Sequence, residues 1–226
     1  NEQYKAVPPF LELIERLKSS PKLADFWRDV LFIEQPLERS VAMDPSVAGE
    51  MSRLIRDKPV IIDEADGWLT AFREATRLGY RGTSHKNCKG IYKSLHNKAL
   101  VEAHNQRVGR PDDWFLSAED LTNLAVVPLQ ADLASVALLD IGHVERNGHH
   151  YFRGLGHLTE AEKAAALEAH PDLYERHGDE VFLKIAEGKL ACGSLQCPGV
   201  GFEALPDLDA MTPPEDWRFE SLGQEA

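Results

Sequence analysis

The stretch Leu31-Phe32-Ile33-Glu34-Gln35-Pro36-Leu37 runs three apolar residues into a carboxylate and then into a proline. A short apolar run of this kind predicts a buried strand whose C-terminal tip presents Glu34. Pro36 has no N–H to give a ladder, so the strand must end there. Val60-Ile61-Ile62-Asp63-Glu64 repeats the plan, and a weaker strand from Tyr80 to Lys86 ends on His85 and Lys86. Successive strands therefore carry ionisable groups at their C-terminal ends, which is where a parallel α/β barrel keeps its active site.

Helical patterns fill the intervals. Phe10, Leu13, Ile14 and Leu17 follow Pro8-Pro9 at helical spacing, and Pro21 stops that helix. A short piece from Leu23 to Asp29 leads into the first strand. Val47, Met51, Leu54 and Ile55 predict the next helix. Trp68, Leu69, Phe72, Ala75 and Leu78 predict another, capped by Gly79. A helix from about Gly90 to Val108 precedes a strand at Trp114-Phe115-Leu116, which ends on Ser117-Ala118-Glu119-Asp120. Leu121 to Leu139 predicts a buried helix, and His143-Val144-Glu145 one more short strand. Strand–helix repetition at steady spacing implies parallel strands with right-handed crossovers. The absence of a G-x-G-x-x-G loop favours a barrel over an open nucleotide-binding sheet.

The rhythm changes after about Gly148. Thr159 and Glu162 stand at capping-box spacing ahead of a helix. Val181 to Ile185 alternates like a strand, and Glu187-Gly188 is the turn of a hairpin that returns through Lys189-Leu190-Ala191-Cys192. The acid- and proline-rich end from Pro206 to Ala226 is expected to wrap the surface or fray.

Composition narrows the function classes. The 226 residues are 43% hydrophobic, enough for a sizeable core. The net charge of −12 argues against a nucleic-acid partner, which needs a basic face. No apolar run is long enough to span a bilayer, so no membrane is expected. Cys88, Cys192 and Cys197 are too few for a disulfide framework and lack companions for a zinc site, which points to a reducing cytoplasm.

Three motifs in order carry a family likeness: Phe32-Ile33-Glu34-Gln35-Pro36-Leu37, Ile62-Asp63-Glu64 and Lys86-Asn87-Cys88-Lys89-Gly90. Together they resemble the enolase superfamily, most closely its mandelate racemase/muconate-lactonizing enzyme branch. In that branch the Glu of E-Q-P and the Asp of D-E bind Mg²⁺. A Lys in K-x-x-K-x-G-G, one strand later, is the acid/base. The tail Ile185-Ala186-Glu187-Gly188-Lys189-Leu190 with Cys197-Pro198-Gly199-Val200-Gly201 resembles the branch's D-G-x-L … P-G-x-G segment. The likeness covers Asn1 to about Glu203.

The resemblance implies a (β/α)8-type TIM barrel, of which this chain is the C-terminal part, about strands four to eight. Residues 1–150 would form the partial barrel. Residues 151–226 would supply its last helix and a hairpin and tail that pack on the barrel or return to a capping domain. Asn1-Glu2-Gln3-Tyr4 resembles the continuation of the family's D-x-N motif, whose Asp would lie two positions before Asn1. The chain therefore reads as part of a longer protein. The glycine pair of the lysine motif is reduced here to Gly90 and shifted by one residue.

By the same resemblance Glu34 and Asp63 are metal ligands for Mg²⁺ and Lys86 is the catalytic base. Glu64 competes with Asp63 for the ligand role, since neighbours on a strand face opposite ways. Glu119 and Asp120, at the next strand end, are read either as groups that contact substrate or complete a proton relay, Glu119 being the catalytic candidate, or as acids that cap the helix at Leu121. The implied chemistry is removal of a proton alpha to a carboxylate, giving an enediolate that a hard divalent cation stabilises. The substrate would be a small carboxylate, and the reaction a racemisation, epimerisation, dehydration or cycloisomerisation. A homo-oligomer is compatible with the family; no residue fixes a subunit number. Glu145, at the tip of the last strand candidate, has the same two readings as Glu119, and the cluster His143, Arg146, Asn147, His149 and His150 suits a substrate-binding loop. His85 is expected to pack or hydrogen-bond, and Lys89 to be a surface residue at a helix start. Trp27, Trp68 and Trp114 are expected in the core or an interface. Two other readings stay open: a non-catalytic barrel that binds or scaffolds, and an unrelated α/β-barrel hydrolase or lyase.

Overall fold

A computed structural model of the chain describes residues 1–119, 123–146, 148 and 151–222. It divides into two compact units, residues 1–85 with 89–117, and residues 86–88 with 118–226.

The first unit opens with α1 (Val7–Ser19), whose proline-led first turn matches the sequence, and which buries Val7, Phe10 and Ile14. A 3-10 turn at Pro21–Leu23 and α2 (Ala24–Asp29) lead to β1 (Ile33–Glu34). The strand is shorter than its apolar run suggested. Leu31 lies outside it and is 76% exposed, so the burial expected of that residue does not hold. Then follow α3 (Arg39–Ala42), α4 (Ala48–Leu54), β2 (Val60–Ile62), α5 (Ala71–Leu78), β3 (Gly82–His85), α6 (Ile91–Val108) and β4 (Phe115–Ala118).

The strands stand in chain order, β1-β2-β3-β4. β1 and β2 are parallel with Glu34 opposite Ile61; β2 and β3 are parallel with Ile61 opposite Gly82. On the far side of β1 the chain start adds a parallel bridge between Tyr4 and Leu37. Val60, Ile61 and Ile62 are all buried, as a strand covered on both faces requires. The core joins α1, α4 and β2 through Phe10, Ile14, Met51, Leu54, Val60 and Ile62. Tyr80 ends in this core with its hydroxyl donating to the Ala42 carbonyl at 2.9 Å. α5 begins later than its apolar pattern implied: Trp68 and Leu69 precede it and are exposed, and the Trp68 indole donates to Glu74.

The second unit contains α7 (Val127–Leu138), which starts six residues after Leu121 because Pro128 sets its first turn. Leu121 itself lies outside the described residues. Residue 145 bridges residue 119 in parallel, so the expected strand at His143–Glu145 reduces to one rung. α8 (Glu160–Ala169) has the full capping box: the Glu162 backbone N–H donates to the Thr159 hydroxyl oxygen, and the Thr159 N–H donates to the Glu162 carboxylate. β5 (Tyr174–His177) and β6 (Glu180–Leu183) form one antiparallel hairpin, β7 (Ile185–Ala186) and β8 (Lys189–Leu190) another. The second unit packs around Leu129, Leu133, Leu155, Leu173, Tyr174 and Val181. Among the described residues no strand set closes into a barrel, and no helix is long and apolar enough to cross a membrane.

Candidate active site

Strand pairing decides which side chains share a face. Glu34 aligns with Ile61 across β1 and β2, and Asp63 lies two residues beyond Ile61. Side chains two apart on a strand point the same way, so Glu34 and Asp63 emerge on one face. Their carboxylates have oxygens within 4.8 Å of each other. Asp63 is completely buried and Glu34 half-buried. Glu64, the rival for the ligand role, turns aside and accepts from the Asn1 side chain at 2.8 Å.

The side chains of Gln35 and Lys89 hold Asp63. Gln35 is buried, with a left-handed φ of +32°. Its side-chain oxygen accepts the backbone N–H groups of Asp63 at 2.8 Å and Ala65 at 3.3 Å, and its amide nitrogen donates to the Leu37 carbonyl at 3.2 Å. One side chain thus ties the end of β1 to the end of β2. The Lys89 ammonium reaches Asp63 Oδ1 at 2.8 Å and donates to the carbonyls of Asp63 at 2.9 Å and Ser84 at 2.8 Å. Lys89 is therefore not the surface residue its place before α6 suggested; its side chain is 14% exposed and its charge serves a buried carboxylate. Below the tip, Asp66 is buried beside the Lys93 ammonium at 2.9 Å and accepts from the Thr83 hydroxyl and the Asn97 amide. That network joins the loop after β2 to β3 and α6.

His85, the last residue of β3, is buried as expected and contacts the Ser94 hydroxyl at 2.7 Å. Burial, and then the charge of Lys89, push its pKa down to about 4, so the imidazole is neutral near neutral pH.

In the second unit Lys86 pairs with Glu119 at 3.0 Å, both nearly buried. The Glu145 N–H donates to the Ala118 carbonyl at 2.9 Å, which fixes the backbone beside Glu119. Next to Lys86, the Asn87 N–H donates to the Asp132 carboxylate at 3.1 Å, and Arg146 lies 3.8 Å from the same carboxylate. His143 and Glu145 have exposed side chains. Asp120, Asn147, His149 and His150 lie outside the described residues. Cys88, Cys192 and Cys197 are free thiols.

The sequence missed the roles of Gln35 and Lys89. The Gln of E-Q-P was available as a signal, since a polar residue between a strand and a proline must find a partner if it is buried. Comparison with protein-family models, with curated proteins and with solved structures found no match.

Proposed function

We propose that the protein is a Mg²⁺-dependent enzyme that abstracts a proton alpha to a carboxylate, on a (β/α)8-type scaffold. The observation that carries this reading is the pair Glu34 and Asp63: two carboxylates within 4.8 Å, on one face and at the C-terminal ends of neighbouring parallel strands. Like charges this close favour positive charge nearby, and the Lys89 ammonium lies 2.8 Å from Asp63. Hard oxygen donors of this kind suit Mg²⁺. When bound there, the cation offsets charge that builds on the substrate carboxylate as the proton leaves.

The chain's own residues supply the rest. Gln35 and Lys89 hold Asp63 in a fixed orientation, which a ligand needs if binding is not to be spent on ordering it. Lys86 follows β3 at the strand end where active sites of parallel α/β folds sit. Glu119, at hydrogen-bond distance, can exchange a proton with it. The substrate is a small carboxylate; free thiols agree with a reducing cytoplasm.

A second reading has its own support. Lys89 on Asp63 and Lys86 on Glu119 give each of these carboxylates an internal cation. A non-catalytic binding or structural protein would look the same.

One experiment separates them. The protein is incubated with Mg²⁺ and a panel of alpha-substituted carboxylates in D2O, and loss of the alpha-proton signal is followed by NMR. The enzyme reading expects Mg²⁺-dependent exchange with at least one compound, lost in Lys86→Met. Exchange unchanged in that variant removes Lys86 from the role of base. No exchange with any compound, together with no heat on titrating Mg²⁺ to millimolar concentration, supports the non-catalytic reading.

A further inference from the structure

Lys89 meets three acceptors at once, and two of them are backbone carbonyls, those of Asp63 and Ser84. The third is Asp63 Oδ1 at 2.8 Å. A lysine held only by a carboxylate swings away when a metal takes that carboxylate. Lys89 is also held by two backbone carbonyls, that of Asp63, just after β2, and that of Ser84 in β3, so it stays beside Asp63 when the carboxylate binds something else. The Asp63 side chain is completely buried, and that of Lys89 is 14% exposed. In such surroundings a fixed positive charge acts strongly on a neighbouring cation.

We infer that Lys89 is a built-in counter-ion that holds down the affinity of the Glu34–Asp63 pair for a divalent cation. The inference rests on the metal reading of that pair given above. A hard dication on Asp63 must share the carboxylate with an ammonium that has nowhere to go, and mutual repulsion weakens its binding. The pair then fills readily only when a further negative charge arrives, as a substrate carboxylate provides. By linkage, that anion and the cation each tighten the other. Lys89 thus keeps a buried acidic pair folded and compensated without the metal, and makes loading of the metal depend on an anionic ligand.

The test is calorimetric titration of Mn²⁺ and of Mg²⁺ into the whole chain, with no substrate present. Wild type is compared with Lys89→Met, Asp63→Asn and the double variant. Melting curves check that each is folded; Lys89→Gln, which keeps one donor for a strand carbonyl, serves if the methionine variant does not fold. Lys89→Met is expected to bind Mn²⁺ at least about tenfold more tightly than wild type, the direction that loss of a neighbouring positive charge dictates. Asp63→Asn and the double variant are expected to lose that binding. Equal or weaker binding in folded Lys89→Met and Lys89→Gln overturns the inference. The metal reading survives that result if wild-type binding still disappears in Asp63→Asn. No binding in wild type or in either Lys89 variant overturns both.

Discussion

The side-chain oxygen of Gln35 accepts the backbone N–H of Asp63 at 2.8 Å, so the residue after one carboxylate of the pair sets the position of the other. This contact lies between the ends of adjacent strands, where the ladder has run out of rungs. Its donors belong to buried residues, Asp63 and Ala65.

Replacing Gln35 by Met keeps the volume and removes the acceptor. The N–H groups of Asp63 and Ala65 are then left without their partner. An unsatisfied buried donor costs about 1–3 kcal/mol, so a loss of roughly 2–4 kcal/mol is expected for the pair, allowing for some relaxation. Urea denaturation measures it as a fall in midpoint at unchanged slope. A midpoint within error of wild type would show that the clamp is dispensable.

Gly82 fits because it has no side chain. A Cβ there would stand 2.9 Å from the Ile61 side chain and closer still to the Phe115 carbonyl, so both neighbours of β3 would have to move. Gly82→Ala is therefore expected to cost about 1–3 kcal/mol, the usual penalty of overpacking a close-packed interior. Thermal melting of the variant beside Ser52→Ala, an exposed helix position, gives the comparison.

His85 makes stability fall on the acid side. Its folded pKa of about 4 lies below the ordinary value of 6.5. Above pH 6.5 the imidazole is neutral in both states and contributes no pH dependence. Between 6.5 and 4 the unfolded chain binds a proton that the folded chain refuses, so stability falls as pH falls. The full drop is of order 3 kcal/mol, since each pKa unit corresponds to about 1.4 kcal/mol. His170, with its folded pKa also lowered chiefly by burial, acts in the same direction. His85→Asn should flatten this part of the profile, and denaturation at pH 7.5 and pH 5 in both proteins shows whether it does. Equal slopes would mean that His85 is not buried neutral.

The features legible in the sequence are those set by local chemistry. Val60-Ile61-Ile62 can hardly be other than a covered strand, and Thr159 with Glu162 states its own cap. Glu187 and Gly188 both have left-handed φ, +51° and +72°, as the predicted hairpin turn requires. β5 went unseen because Tyr174-Glu175-Arg176-His177 buries only Tyr174 fully; its partner strand, not its own pattern, makes it a strand. Trp68 and Leu69 looked like core because period alone does not say where a helix begins. Lys89 looked like surface because an Asp 26 residues earlier carries no sign of proximity. For Glu34 and Asp63 the sequence supplied the strand ends and the resemblance supplied the pairing; the register put them on one face.

The most direct measurement is an anomalous difference map from crystals of the protein soaked in Mn²⁺ together with a small carboxylate anion, Mn²⁺ being a stand-in for Mg²⁺ that shares its preference for oxygen ligands. The account predicts a single strong peak within about 2.0–2.4 Å of oxygens from both Glu34 and Asp63. A map with Mn²⁺ bound elsewhere on the protein and nothing between these two carboxylates would contradict it.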